Sequence, residues 1–224
     1  MASITYVFHI GEEEFRFPLT FDPQSFTLID EGTAELPEWT RLEFRKCPHC
    51  PLPETTKTCP YAGALSRIVS QLEPFYSYTK SVVEVITAQR TVIGALPLQS
   101  GVASLIGLVG ATSGCPGLAF LRPMARFHLP FASEQETLFR AFSMFLLGEY
   151  LREGGQGKRP LSIEGIRAHY EDAAKVNHGM ADRVRGGAAK DAVVNAVIIL
   201  NTFAQAAPYV IDEALAELQE IYNL

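Results

Sequence analysis

Apolar and polar positions alternate with a period of two near the start of the chain. Residues 3–9 and 14–20 are rich in aromatic and β-branched side chains, and Gly11 lies between them. This pattern predicts two antiparallel strands joined by a tight turn. Pro18 has no backbone N–H to donate, which predicts that the second strand lies at a sheet edge or ends there.

The rest of the first half predicts one helix and three more strands. Residues 61–73 carry apolar side chains at helical spacing, and Pro74 ends the run. Residues 25–30, 39–44 and 81–91 are short runs with strand-like composition. The predicted order is therefore β-β-β-β-α-β, which is typical of an α+β region with a small antiparallel sheet and one helix.

Helical spacing dominates the second half. The predicted helices cover residues 98–112, 116–127, 133–152, 162–177, 188–206 and 211–222. Ser133 and Glu136 form a capping box, and the glycine-rich run 154–157 predicts a break. We therefore predict an α+β fold with an α+β region over residues 1–96 and a helical bundle over residues 97–224.

Composition and charge exclude some classes of function. Apolar residues make up 47% of the chain, charged residues 20%, and the net charge is −6. Residues 11–38 hold eight acidic side chains against one basic side chain. Without a basic stripe to displace counterions, nucleic acid is not an expected partner.

The first residues lack the basic and apolar segments of a secretory signal, which predicts a cytoplasmic location.

One long stretch, residues 91–121, contains no charged side chain. The helix predicted within it, residues 98–112, would be roughly 22 Å long. A bilayer core is about 30 Å thick. We therefore expect a buried core helix and no membrane association. Apolar helices with few charges are also compatible with a homodimer.

The four cysteines are the strongest chemical signal. They are Cys47, Cys50, Cys59 and Cys115, and a proline follows each of them. In a reducing compartment, cysteines bind metal more often than they form disulfides. A Cys-x2-Cys turn can offer two sulfurs to one ion. Cys59 and Cys115 each precede a predicted helix, whose dipole and free amides would favour the thiolate.

We therefore predict one four-thiolate metal site at the junction of the two halves. Zinc is the expected metal, and an iron–sulfur cluster is the alternative, because both accept four thiolates. His49 or His128 could replace a cysteine. Arg122 and Arg126, which lie at i and i+4, could neutralise the thiolates together with His128 or pair with acidic groups. Single cysteines could instead be buried as small apolar residues.

The second hypothesis is an enzyme of thiol–disulfide exchange. Cys47-Pro48-His49-Cys50 is identical to the active-site tetrapeptide of the thioredoxin-like oxidase family, in which the motif begins a long helix. Pro51 and Pro53 disfavour such a helix here, because proline lacks the N–H that the helical hydrogen bonds require. A helical adaptor that binds another protein is the third hypothesis. The chain contains no nucleotide-binding glycine motif, nucleophile elbow or His-Glu-x-x-His motif.

Several short motifs together carry a wider resemblance. They are Cys47-x2-Cys50-Pro51-Leu52, Cys59-Pro60, Ser113-Gly114-Cys115-Pro116 and the run from Arg122 to Phe131. With them the chain resembles a bacterial family of unknown function over most of its length. The resemblance implies a bacterial source and no particular activity, substrate or cofactor.

Overall fold

The computed structural model describes residues 2–29, 35–152, 162–187 and 191–222. Its N-terminal part contains a four-stranded antiparallel sheet and one helix, and its C-terminal part consists of packed helices. The predicted α+β class is confirmed. The strands are β1 (Ala2–Ile10), β2 (Glu13–Phe21), β3 (Lys80–Ile86) and β4 (Thr91–Pro97), in the order β2-β1-β3-β4.

The helices follow the predicted pattern in most places. They are α1 (Pro60–Leu72), α2 (Leu98–Thr112), α3 (Arg122–Arg126), α4 (Glu134–Arg152), α5 (Glu164–Gly187) and α6 (Asp191–Tyr222), with 3-10 helices at Glu38–Thr40 and Pro116–Leu121. The capping box of α4 is confirmed: Ser133 N donates to Glu136 Oε2 at 2.7 Å, and Glu136 N donates to Ser133 Oγ at 3.2 Å.

The first hairpin is also confirmed. Gly11 in its turn has a φ of +63°, a conformation that glycine adopts without a Cβ clash. Tyr6 of β1 pairs with Phe17 of β2, and the inward side chains of both strands are buried. Pro18 lies on β2, which is an edge strand because it pairs only with β1.

Two predicted strands are wrong. Residues 25–30 and 39–44 form no strand in the described part, which omits residue 30; they contribute only the isolated bridges Phe21↔Leu28 and Arg41↔Thr58. Their peptide groups form hydrogen bonds with other segments. In the first segment, Leu28 N donates to Thr112 O in the last turn of α2. In the second segment, the guanidinium of Arg183 donates to a backbone carbonyl, that of Arg41. Strand β4 was not predicted, because its residues belong to the long charge-free run.

Two predicted helix ends are also wrong. Residues 162–177 were expected to end as a helix before Gly179, but α5 continues to Gly187. Residues 188–206 and 211–222 were expected as two helices, but α6 passes through Pro208. Tertiary packing outweighs local propensity at both positions. The predicted break at 154–157 and the start at 188–190 lie outside the described residues.

Helix α2 joins the sheet to the helical part. A Cβ added at Gly101 would lie 2.8 Å from Cγ2 of Val83, so this glycine lets α2 approach β3 closely. On its other sides α2 contacts α1, α6 and the 3-10 helix Pro116–Leu121. The buried core therefore continues across the position between residues 96 and 97, and the division into two regions there stays a prediction.

By length and composition alone, α6 could cross a membrane. The core helix of a soluble protein meets the same criterion. Helix α2 meets it only together with residues 116–126, and that pair is bent by 109°. The cytoplasmic location and the absence of membrane association stay predictions.

Candidate metal centre

Cys47 and Cys50 lie in a tight turn. Cys50 N donates to Cys47 O at 3.0 Å, and no helix begins between Cys47 and Cys59. This agrees with the turn predicted from the prolines. It differs from the thioredoxin-like arrangement, in which the Cys-x-x-Cys motif begins a long helix.

Cys59 and Cys115 both occupy the position just before a helix, as predicted. Each has an extended backbone and is followed by proline at the first helical position. Cys59 N donates to Thr40 O at 2.8 Å. Gly114 has a φ of +89°, which turns the chain between α2 and the 3-10 helix that Cys115 begins.

The starts of these two helices pack against the same glycine of α2. Tyr61, two residues after Cys59, is fully buried. A Cβ added at Gly110 of α2 would lie 2.9 Å from Cζ of Tyr61 and 3.0 Å from Cδ1 of Leu118. Glycine at position 110 therefore allows α1, the end of α2 and the following 3-10 helix to approach one another closely.

One face of α5 contacts two of the cysteine segments. A Cβ added at Gly179 would lie 2.9 Å from Sγ of Cys47. A Cβ added at Gly117, two residues after Cys115, would lie 2.7 Å from Cγ2 of Val176. Val176 and Gly179 are three residues apart, so they share a face of the helix. The turn at Cys47 and the helix that begins at Cys115 thus contact neighbouring turns of α5.

Burial is the largest influence on the pKa of the Cys47 thiol. It raises the pKa of this thiol, and the nearby thiols of Cys59 and Cys50 raise the pKa further, while the guanidinium of Arg183 lowers it.

Cys115 departs from what its place at a helix start predicts. Burial raises the pKa of this thiol to about 11. The amides of Gly117 and Leu118 lower the pKa, as expected at a helix N-terminus, but burial has the larger effect. The amides at the helix start therefore favour the thiolate as expected, but burial opposes and outweighs their effect.

Arg183 of α5 holds the segment that leads to the cysteine turn. Its side chain is 1% exposed. Nη1 donates to the carbonyl oxygens of Trp39 at 2.8 Å and Arg41 at 2.5 Å, and Nη2 donates to Leu42 O at 3.0 Å. No acidic side chain lies within 4.0 Å of it in the described part of the chain. The guanidinium therefore acts as a connector between α5 and residues 39–42.

The four thiols are free and half-buried. Among residues 2–29, 35–152, 162–187 and 191–222, no three His, Cys, Asp or Glu side chains are arranged so that they could hold a metal ion. The cysteine-bearing segments contact α5 or α2, but their sulfur atoms do not adopt coordinating positions. The four-thiolate site stays a prediction.

The family comparison matches almost the whole chain. The chain belongs to a family described as Domain of unknown function (DUF6901). Its model covers residues 4–223. No curated protein and no solved structure matches the chain.

The other candidate ligands of this DUF6901 chain have different roles. His128 Nε2 lies 2.5 Å from the Tyr6 hydroxyl, and burial lowers the pKa of His128 to about 4, so it is a neutral, hydrogen-bonded histidine. His49 is exposed. The Arg126 guanidinium lies 5.2 Å from the centre of the Phe26 ring. Arg122 Nε is buried and has no hydrogen-bond partner in the described part of the structure.

A cavity of about 570 Å³ lies among the helices, and the sequence pattern did not predict it. Helices α2, α4, α5 and α6 and residues 121–132 form most of its wall. The available signal was the series of small residues on α2, which includes Ser100, Ala103, Ser104 and Gly107. Small side chains on a central helix leave space that neighbouring side chains must fill or leave open.

Proposed function

We propose that this DUF6901 protein binds a metal ion through Cys47, Cys50, Cys59 and Cys115, and that zinc is the metal. The ion would join the N-terminal α+β part to the helical part. One observation carries the proposal: the segments of Cys47 and Cys115 contact neighbouring turns of α5, and the helices that begin after Cys59 and Cys115 both contact α2 at Gly110. Cys115 lies 56 residues beyond Cys59, and packing alone brings their segments together.

The chemistry of the donor set supports a structural ion. Zinc takes four thiolates in a tetrahedral arrangement at Zn–S distances of about 2.3 Å. Such an ion would supply charge that stabilises thiolates which burial otherwise keeps protonated. An iron–sulfur cluster accepts the same donors and is the alternative cofactor.

Metal analysis of anaerobically purified protein tests the proposal. We expect about one zinc ion per chain in the wild type and a large loss of metal in Cys115→Ser, because a four-thiolate site cannot close without this sulfur. His49→Gln is the matched control, since His49 is exposed in the same turn, and it should retain metal. Broad visible absorption with bound iron would instead indicate the cluster.

Two results would overturn the proposal. One is wild-type protein with neither zinc nor iron. The other is a Cys115→Ser variant that remains folded, by circular dichroism, and keeps its full metal content.

We also infer that the motifs around the four cysteines are a feature of the family and that its members are bacterial. Cys59 and Cys115 share the same helix-start geometry, and the second of these starts has Gly114 at a positive φ and Pro116 at the first helical position. This supports reading the flanking glycine and prolines as parts of one site.

Thiol–disulfide exchange by Cys47 and Cys50 is the second candidate function. Their position in one tight turn favours it. Exchange needs a thiolate as the attacking group, and burial raises the pKa of Cys47, so we expect weak activity. Insulin reduction by the wild type that disappears in Cys47→Ser but not in Cys115→Ser would support exchange. Equal rates with and without the protein would exclude it.

For partners, we propose a cytoplasmic protein that binds neither nucleic acid nor membrane. The net charge of −6 supports the first exclusion. Exposed apolar side chains near the end of α6 are compatible with a homodimer or with a helical adaptor; they are Tyr209, Ile221 and Tyr222.

A further inference from the structure

The cavity has the size and lining of a small-molecule site. Its volume of about 570 Å³ falls within the range of ligand pockets. Much of the wall is apolar, with Leu200, Phe203 and Ala204 of α6 facing Ala103 and Gly107 of α2. This part of the cavity suits a flexible hydrocarbon chain.

A buried hydroxyl without a partner lies in the same wall. Tyr170 of α5 is 2% exposed, and its hydroxyl makes no hydrogen bond with any described residue. Buried polar groups in folded proteins nearly always have a partner. Burial also raises the pKa of Tyr170, so the hydroxyl is protonated and available as a donor.

Arg140 of α4 adds a positive charge to this wall. Its Nη2 donates to the carbonyl oxygens of Met124 at 3.0 Å and Phe127 at 2.8 Å. No carboxylate of the described chain lies within 4.0 Å of it. The charge of Glu136 acts on Arg140, but the Glu136 carboxylate accepts a hydrogen bond from Ser133 N. The guanidinium thus retains N–H groups for another acceptor.

The side chains of Arg140 and Tyr170 both line the cavity. Glu134 is the acidic residue in the lining, and it is exposed. Among the polar side chains of the wall, Arg140 and Tyr170 therefore offer two donors, one of them charged, to an acceptor inside the cavity.

We propose that this cavity binds an apolar carboxylate. Its hydrocarbon chain occupies the space between α2 and α6, and its carboxylate accepts hydrogen bonds from the Tyr170 hydroxyl and the Arg140 guanidinium. Arginine matches a carboxylate better than a neutral head group because it combines charge with paired N–H groups. None of the four proposed metal ligands lines this cavity.

Calorimetric titration with dodecanoate tests the proposal, and dodecanol serves as a probe with the same chain and a neutral head. We expect the wild type to bind dodecanoate more tightly than dodecanol. Tyr170→Phe and Arg140→Gln should each weaken dodecanoate binding about tenfold or more, since each removes a bond to a charged group. Dodecanol binding should change much less. Tyr150→Phe and Arg185→Gln are controls at exposed positions outside the lining.

A third variant tests the location without removing a polar group. A side chain added at Gly107 would be directed towards Leu200, whose nearest atom is 3.6 Å from the added Cβ, and both residues line the cavity. Gly107→Leu should therefore abolish binding of both probes while the protein stays folded. Metal content, measured on the same samples, should not change.

Three results would overturn the proposal. The first is wild-type protein that does not bind dodecanoate. The second is dodecanol bound as tightly as dodecanoate, with Tyr170→Phe and Arg140→Gln unchanged. The third is a Gly107→Leu variant that binds dodecanoate as the wild type does. Loss of metal without loss of dodecanoate binding would reject only the metal proposal.

Discussion

Arg183→Met is expected to lower the free energy of unfolding by about 3 kcal/mol. Hydrogen bonds from a charged donor to buried carbonyls are worth roughly 1.5–3 kcal/mol each. Removal of the buried charge also removes its desolvation cost, which offsets part of the loss. Methionine fills a similar volume but donates to none of the three carbonyls of residues 39–42. Urea unfolding followed by circular dichroism measures the change.

Arg185→Met is the matched control for this substitution. Arg185 lies two residues further along α5 and is exposed, with an ion pair to Asp182 at 3.1 Å. We expect its replacement to cost about 0.5 kcal/mol or less, as for other surface ion pairs. Similar losses in both variants would show that Arg183 does not connect α5 to residues 39–42. Arg183→Lys should also destabilise the fold, since lysine lacks the planar fork.

Gly110→Leu is expected to destabilise the protein by about 3 kcal/mol, because overpacking a tight contact forces side chains and backbone apart. The first added atom would already lie 2.9 Å from the Tyr61 ring, which is fully buried. The same separation would move α1 away from the 3-10 helix Pro116–Leu121. Under the metal proposal, metal content should therefore fall with stability.

Gly107→Leu is the matched comparison on the same helix. At position 107 the nearest atom to an added Cβ is 3.6 Å away, and the side chain borders the cavity. Leucine also has a helix propensity up to about 1 kcal/mol better than glycine. We expect thermal unfolding at an unchanged or higher temperature than in the wild type. A loss equal to that of Gly110→Leu would contradict the contact at Tyr61 as the cause.

Helices α1, α2 and α4 and the first hairpin could be predicted because their signals are local. Apolar spacing, a proline at the first helical position and a capping box act through residues within one or two turns. Residues 39–44 show the opposite case. Their alternation suggested a strand, but a buried arginine 140 or more residues away takes up their carbonyl groups.

The cysteine region divides in the same way. The Cys-x2-Cys turn and the helix starts at Cys59 and Cys115 follow from nearby prolines and were predicted. The high pKa of Cys115 could not be predicted, because it depends on how much of the chain covers the thiol. A helix dipole is a local property, whereas burial is set by packing.

By itself, the sequence determined the α+β class, most of the helices and the chemical types available for a site. The tertiary structure alone decided that two of the cysteine segments contact α5, that α6 continues through Pro208, and that a cavity is lined by Tyr170 and Arg140. The physical reason is the distance along the chain over which each effect acts. Backbone propensity and capping act over a few residues, while burial, cavities and hydrogen-bond satisfaction depend on contacts between segments far apart in the chain.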